Sequence, residues 1–201
     1  MTPRAALGIK LHTGWAALVA VSGHSGKIQL LLRRRIELLP ADSSIPRFVY
    51  HEAAELPLAQ ATELVKRATK ASASTADLAV KEALREVGSR GIQVDVCGVL
   101  SGSRSTPVDL AAILRSHPLI HTAEGALFQD AIVTACGSCG LRVVLATERE
   151  VWTSAAAALG VTEPGLRNEV DALRKTLGAP WTADHKASTA AALLALNSKR
   201  A

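Results

Sequence analysis

Aromatic side chains are scarce in this sequence. Phe, Trp and Tyr make up 3% of 201 residues, with one Tyr and two Phe. That argues against a surface of successive stacked rings of the kind that holds single-stranded bases. It also leaves the core to Ala, Leu, Val and Ile, whose short side chains favour close approach of helices to a sheet. Cysteine is scarce too: Cys97, Cys136 and Cys139 are the only three. A small odd number, with no export pattern in the opening MTPRAALGIK, predicts a reducing, cytoplasmic setting rather than a disulfide framework. Long apolar runs are missing as well. Stretches such as Trp15 to Val21 and Ala155 to Leu159 fall far short of the roughly 20 residues that span a bilayer, so no membrane partner is expected.

Hydrophobic residues at 48% and charged residues at 20% are ordinary for a globular chain, and the length predicts a single domain over residues 1–201. The formal net charge of +5 is spread along the chain. It suits a polyanionic partner, DNA or RNA, and equally a basic surface with no special role.

Three strands open the chain. Ala5 to Leu11 and Gly14 to Val21 flank the turn Thr13-Gly14, and Ile28 to Leu39 follows the turn SGHSGK. Their short connections require an antiparallel meander. Pro40 to Pro57 reads as a loop. Leu58 to Val87 has helical spacing, with Ser72 to Thr75 as a break into two helices. Ile92 to Leu100 and Leu141 to Ala146 read as buried strands. Between them, Val108 to Arg115 reads as a short helix capped by Thr106, and Thr122 to Cys136 as a longer one. Thr147 and Glu150 read as a capping box, and Glu163 to Leu177 and Lys186 to Leu196 as the last helices. Helical crossovers make the later strands parallel. The expected fold is α/β: a mixed five-stranded sheet with helices on both faces.

That order resembles the ribonuclease H-like fold, and short segments are similar to Holliday-junction resolvases of the RuvC type. "ALGIKLHTGWAALVAV" resembles their opening Gly-Ile-Asp, a Gly-containing turn and an apolar strand. "EGALFQDAIVTACGSCGLRVVLATEREV" resembles their Ala-rich helix, Gly-Leu-x-Val strand and Arg-Glu-Val helix start. "LGAPWTADHKASTAAALLAL" resembles their closing loop, acidic step and Ala/Leu helix. The resemblance implies two-metal phosphodiester hydrolysis, with carboxylates at the ends of the first and fourth strands and at the start of the last helix. Here the first of those positions is Lys10, the second is Leu100 or Ser101, and the last is Asp184 with Ala187 or Ser188. At most one carboxylate of the expected four remains. An ammonium is not a metal ligand, and it repels a divalent ion. Lys10 reads first as a lysine that reaches water from a strand end, and the alternatives are pairing with Asp184 or contact with a phosphate.

Other residues are weighed in the same way. His12, near Asp184 and His185, reads as part of a His/Asp site or as a surface-turn histidine. His117 and His121 flank Pro118, and His121 and Glu124 share helical spacing. That spacing suits metal ligation or an acid–base pair. The preferred reading is a helix start, with Thr122 as N-cap and Glu124 at the positive end. Cys136-Gly137-Ser138-Cys139 lacks a second pair and reads as a small-residue turn. Arg33, Arg34 and Arg35 alternate faces, with Arg33 and Arg35 beside Glu37, either along a nucleic-acid track or as edge protection. Tyr50 to Pro57 and the turn with Ser101 and Ser103 are weaker candidates.

The expectation is therefore a ribonuclease H-like, RuvC-resembling protein with a degenerate metal site, acting as a non-catalytic nucleic-acid- or protein-binding domain. Candidate catalytic positions are Asp184, Lys10, His12 and Glu124, and candidate nucleic-acid contacts are Arg33, Arg35 and Lys10. No metal ligand and no cofactor is assigned. Magnesium or manganese enters only under the alternative of a divergent nuclease with a rearranged site. A homodimeric structural module is the third reading.

Overall fold

In the computed structural model, residues 3–41, 44–102 and 109–198 are described. Short apolar runs rich in Ala, Leu, Val and Ile build β1 (Arg4–His12), β2 (Trp15–Ser22) and β3 (Gln29–Glu37), an antiparallel meander joined by tight turns. The chain then forms α1 (Val49–Ala54), α2 (Leu58–Gly88), β4 (Gln93–Leu100), α3 (Leu110–Leu114), α4 (His117–Ser138) and β5 (Arg142–Ala146). Helices α5 (Val151–Leu159), α6 (Glu163–Ala172), α7 (Arg174–Leu177) and α8 (Ala183–Asn197) complete it. The sheet order is β3-β2-β1-β4-β5, with β4 parallel to both β1 and β5. This is the expected mixed five-stranded α/β sheet.

Two cores lie on the two faces. Leu7, Ile9 and Val99 point to one side, with Ala61, Ala68 and Val80 of α2 and Phe128 and Ile132 of α4. Ala6, Val96 and Leu100 point to the other, against Ala187, Ala190, Ala191 and Leu193 of α8 and Trp152 of α5. Strand alternation decides the side for each residue.

Several local expectations are corrected. The span Pro40 to Pro57 is not all loop, because α1 lies within it. Helix α2 runs unbroken through Ser72 to Thr75. Thr75 donates its hydroxyl to the Ala71 carbonyl one turn back, as Thr62 and Thr69 do along the same helix, so these polar residues are accommodated without a break. Helix α4 starts five residues early, at His117 with Pro118 in its first turn, where a missing N–H costs nothing. Thr122 is therefore inside the helix, bonded to the Pro118 carbonyl, and is not its N-cap. Thr147 donates to the Glu150 carboxylate rather than accepting from backbone, and α5 begins only at Val151. Helix α3 is capped by Asp109, whose carboxylate accepts from Ala112 N, while the expected cap Thr106 and Ser103 lie outside the described residues. The last helices begin and end within a few residues of expectation, with a short break after Ala172.

Candidate functional site

Even-numbered residues of β1 face α8. Gly8, Lys10 and His12 therefore line up along one edge of that helix's approach. Gly8 and Gly98 remove the side chains that would hold α8 away: a Cβ on Gly8 would fall 1.9 Å from the Ser188 carbonyl oxygen, and one on Gly98 would fall 2.0 Å from that of Ala191. The alanine-rich face of α8 thus lies directly on the backbone of β1 and β4. Ser188 adds a hydroxyl donation to the Ala17 carbonyl of β2 at 3.2 Å.

This contact brings the start of α8 to the end of β1. Thr182 caps the helix by accepting from His185 N, and His185 Nδ1 accepts in return from Thr182 N, each at 3.3 Å. Asp184 follows in the first turn, where the helix dipole favours a negative charge. Lys10 Nζ is 3.0 Å from Asp184 Oδ1 and 3.0 Å from Glu148 Oε2. His12 Nε2 lies 3.2 Å from the other Asp184 oxygen. The Lys10 and Asp184 side chains are 13% and 23% exposed and Glu148 is 63% exposed, so the Lys10–Asp184 pair is the desolvated part of the cluster.

Electrostatics follow from this geometry. Burial alone would raise the Asp184 carboxyl, but the hydrogen-bonded Lys10 ammonium and the neighbouring His12 outweigh it and hold it below its ordinary value. Burial alone would lower Lys10, but its bonds to Asp184 and Glu148 carry it above its ordinary value. Both groups are ions at neutral pH, each stabilising the other.

The cluster continues onto the meander. His12 stacks on Trp15 with centroids 4.1 Å apart, and the Arg35 guanidinium lies 3.8 Å from the Trp15 ring centre. Arg35 also pairs with Glu37 at 2.5 Å. Arg33 turns to the loop before α8, donating to the carbonyls of Gly178 and Pro180 at 3.2 and 2.6 Å. Arg34 points to the opposite face and pairs with Glu86 and Glu82 of α2. The alternation expected for the three arginines is present, with Arg33 engaged by backbone.

The structure thus brings Lys10, His12 and Asp184 together, and Glu124 is not with them. It sits on the other face of the sheet, 3% exposed, accepting from Tyr50 N at 3.1 Å and bonded to His51 Nδ1 at 3.0 Å. Strand spacing alone cannot place α4 and α8 on opposite faces, and the crossover does. Leu100 is buried, and Ser101 N donates to the Ala146 carbonyl. Glu148 is the participant that sequence reasoning missed. The available signal was its position two residues past β5, since the parallel strands β1, β4 and β5 all end on the same side of the sheet.

No protein-family model and no curated protein matches the sequence. Solved structures do. The RuvC structure from Thermus thermophilus is 16% identical, with a TM-score of 0.53 over 94% of this chain and 92% of that one. T. thermophilus RuvC in complex with Holliday junction substrate is 17% identical, with a TM-score of 0.52 over 94% and 91%. Across nearly its whole length, then, the chain has the ribonuclease H-like fold found in RuvC.

Proposed function

We propose that this chain is a non-catalytic ribonuclease H-like domain in which an internal ion pair replaces the metal cluster, and that it binds nucleic acid without cutting it. The observation that carries this reading is the Lys10 ammonium, 3.0 Å from both Asp184 and Glu148. A two-metal site needs several oxygen ligands converging on two divalent ions. The donors at this end of the sheet do not fit that requirement. Two carboxylates are present, and a fixed cation already lies between them. Among the described residues no third carboxylate pairs with Lys10 to offset the repulsion that a divalent ion beside it would meet.

Binding is supported by the positive balance of the chain and by the cations near the β1–β2 hairpin. Arg35 lies over Trp15 there, and Arg47 donates to the Thr13 carbonyl at 2.7 Å, while Lys10 is taken up by its internal pair. Arg33, held by carbonyls, serves the fold instead. The RuvC structure with a bound Holliday junction supports a four-way junction as the first probe.

The test pairs binding with cleavage on four-way, duplex and single-stranded DNA. Expected are an affinity that falls steeply with salt and intact DNA in magnesium or manganese. Arg35→Ala and Arg47→Ala should each flatten the salt dependence by about one counterion. Metal-dependent cleavage abolished by Asp184→Ala would establish the divergent-nuclease reading instead. A concentration-dependent dimer indifferent to DNA at low ionic strength would establish the structural module.

A further inference from the structure

Three histidines from two helices meet on the face of the sheet opposite Lys10. His117 and His121 are four residues apart in the opening turns of α4, so they project from one side of it. Their Nε2 atoms are 3.0 Å apart. His51 approaches them from α1, and a ring nitrogen of each of the three lies within 4.8 Å of those of the other two. The rings meet edge to face, with centroids 4.4, 4.8 and 5.7 Å apart.

What lies behind His51 distinguishes this from a chance meeting of surface rings. Its Nδ1 is bonded to Glu124 Oε2 at 3.0 Å, and Glu124 is buried and held in turn by Tyr50 N. A carboxylate there selects the tautomer protonated on Nδ1, which leaves the Nε2 lone pair free. It also fixes the orientation of the ring. Metal-binding histidines are supported in this way by a second layer of acceptors. The two α4 histidines are exposed, so an ion can enter from solvent.

We propose that His51, His117 and His121 bind one divalent ion of the zinc class, with Glu124 orienting His51. An all-imidazole donor set suits zinc, cobalt, nickel or copper rather than magnesium or calcium, which require oxygen ligands. Three ligands leave a fourth tetrahedral position for water or an added anion. The bound ion would fasten the short helix α1 to α4. This site shares no residue with the Lys10 cluster, so it stands or falls independently of the proposed function.

The test uses the full chain, stripped with a chelator, then titrated with zinc by calorimetry and with cobalt by visible absorption. The expected result is one ion per chain, a tetrahedral cobalt spectrum and a rise in Tm with zinc. His51→Ala, His117→Ala and His121→Ala should each weaken binding at least tenfold, with circular dichroism confirming that the fold persists. Glu124→Gln should weaken it by about 10- to 100-fold while all three ligands remain. Absence of zinc binding would overturn the assignment. So would affinity unchanged in the His117 and His121 variants, or affinity lost in His12→Ala instead.

Discussion

Gly8 of β1 and Ser188 of α8 are in backbone contact, with the Ser188 carbonyl oxygen occupying the space of a Gly8 side chain. The obstruction is a helix backbone, so no rotamer change relieves it. Gly8→Ala must push α8 off the sheet or fail to fold, at a cost of about 3 kcal/mol or more. Gly98→Ala meets the Ala191 carbonyl in the same way. Denaturant unfolding should show both variants strongly destabilised, while Gly125→Ala, a helical position with open space around it, should be neutral or slightly stabilising.

The Lys10–Asp184 pair predicts a defined response to substitution. Lys10→Met leaves two carboxylates facing each other with their shared cation gone. The loss should be about 1–3 kcal/mol, between the values for exposed and fully buried pairs. Asp184 carries most of it, since Glu148 is largely in solvent. The pH limits follow from the directions of the shifts. Asp184 is held low, so its contribution is present above the ordinary carboxylate range and is lost as acid titrates it in the fold. Lys10 is held high, so its contribution is full below 10.5 and is lost as alkali passes its raised folded value. Lys10→Met should flatten both limbs of the stability profile. Unchanged limbs would mean that the pair contributes nothing.

Lys10→Asp makes the opposite change of charge at the same residue. It would replace the cation with a third carboxylate beside Asp184 and Glu148, and repulsion among the three should make the metal-free protein less stable than the parent. Manganese or magnesium should then bind and restore stability, an effect absent from the parent. Calorimetry with manganese measures it directly. A parent protein that binds manganese equally well, with Asp184 required, would contradict the view of Lys10 as the resident cation.

Much of the architecture was legible because its signals are local. The meander follows from turn chemistry at Thr13-Gly14 and from the unbroken apolar run Trp15 to Val21, and the low aromatic content points to a helix lying close on the sheet. The pairing of Lys10 with Asp184 was also within reach, once the strand end and helix start were aligned with a known family. Glu148 was not, because a residue just past a strand has no periodicity to mark it. The histidine cluster was half visible. The spacing noted in the sequence pairs His121 with Glu124 rather than with His117, His51 lies in a stretch read as loop, and only the tertiary fold brings α1 against α4.

His185 predicts a stability change near neutral pH. Its Nδ1 accepts from Thr182 N in the capping box, a role that requires the neutral ring. Burial first, and the nearby Arg33 charge second, push its pKa below 6.5, with Asp184 opposing them. The unfolded chain therefore takes up the proton first. Stability should fall as pH drops from about 6.5 through the lowered folded value, and the loss should then level off until carboxylates titrate. Gln at this position keeps an acceptor for the cap and does not titrate. His185→Gln should remove that step while leaving stability at pH 8 nearly unchanged, as read from urea midpoints across the pH range.

The cysteines carry the last prediction. Cys97 in β4 and Cys136 in α4 are both buried, and Cys139 is partly exposed. A hydrogen bond with Cys136, and then burial, push the Cys97 thiol well up. Cys139 is raised as well, chiefly by desolvation and then by Asp77. It sits at the C-terminal cap of α4, the negative end of the helix dipole, which further disfavours a thiolate. Redox pairs of the Cys-x-x-Cys type work through a lowered thiol at a helix N-terminus, and this pair has the reverse placement. Thiol reagents at pH 7 should therefore modify Cys139 slowly and leave Cys97 and Cys136 untouched until the protein unfolds. Fast reaction at two thiols in the folded state, or a Cys136–Cys139 disulfide formed under mild oxidation, would show that the pair is redox-active after all.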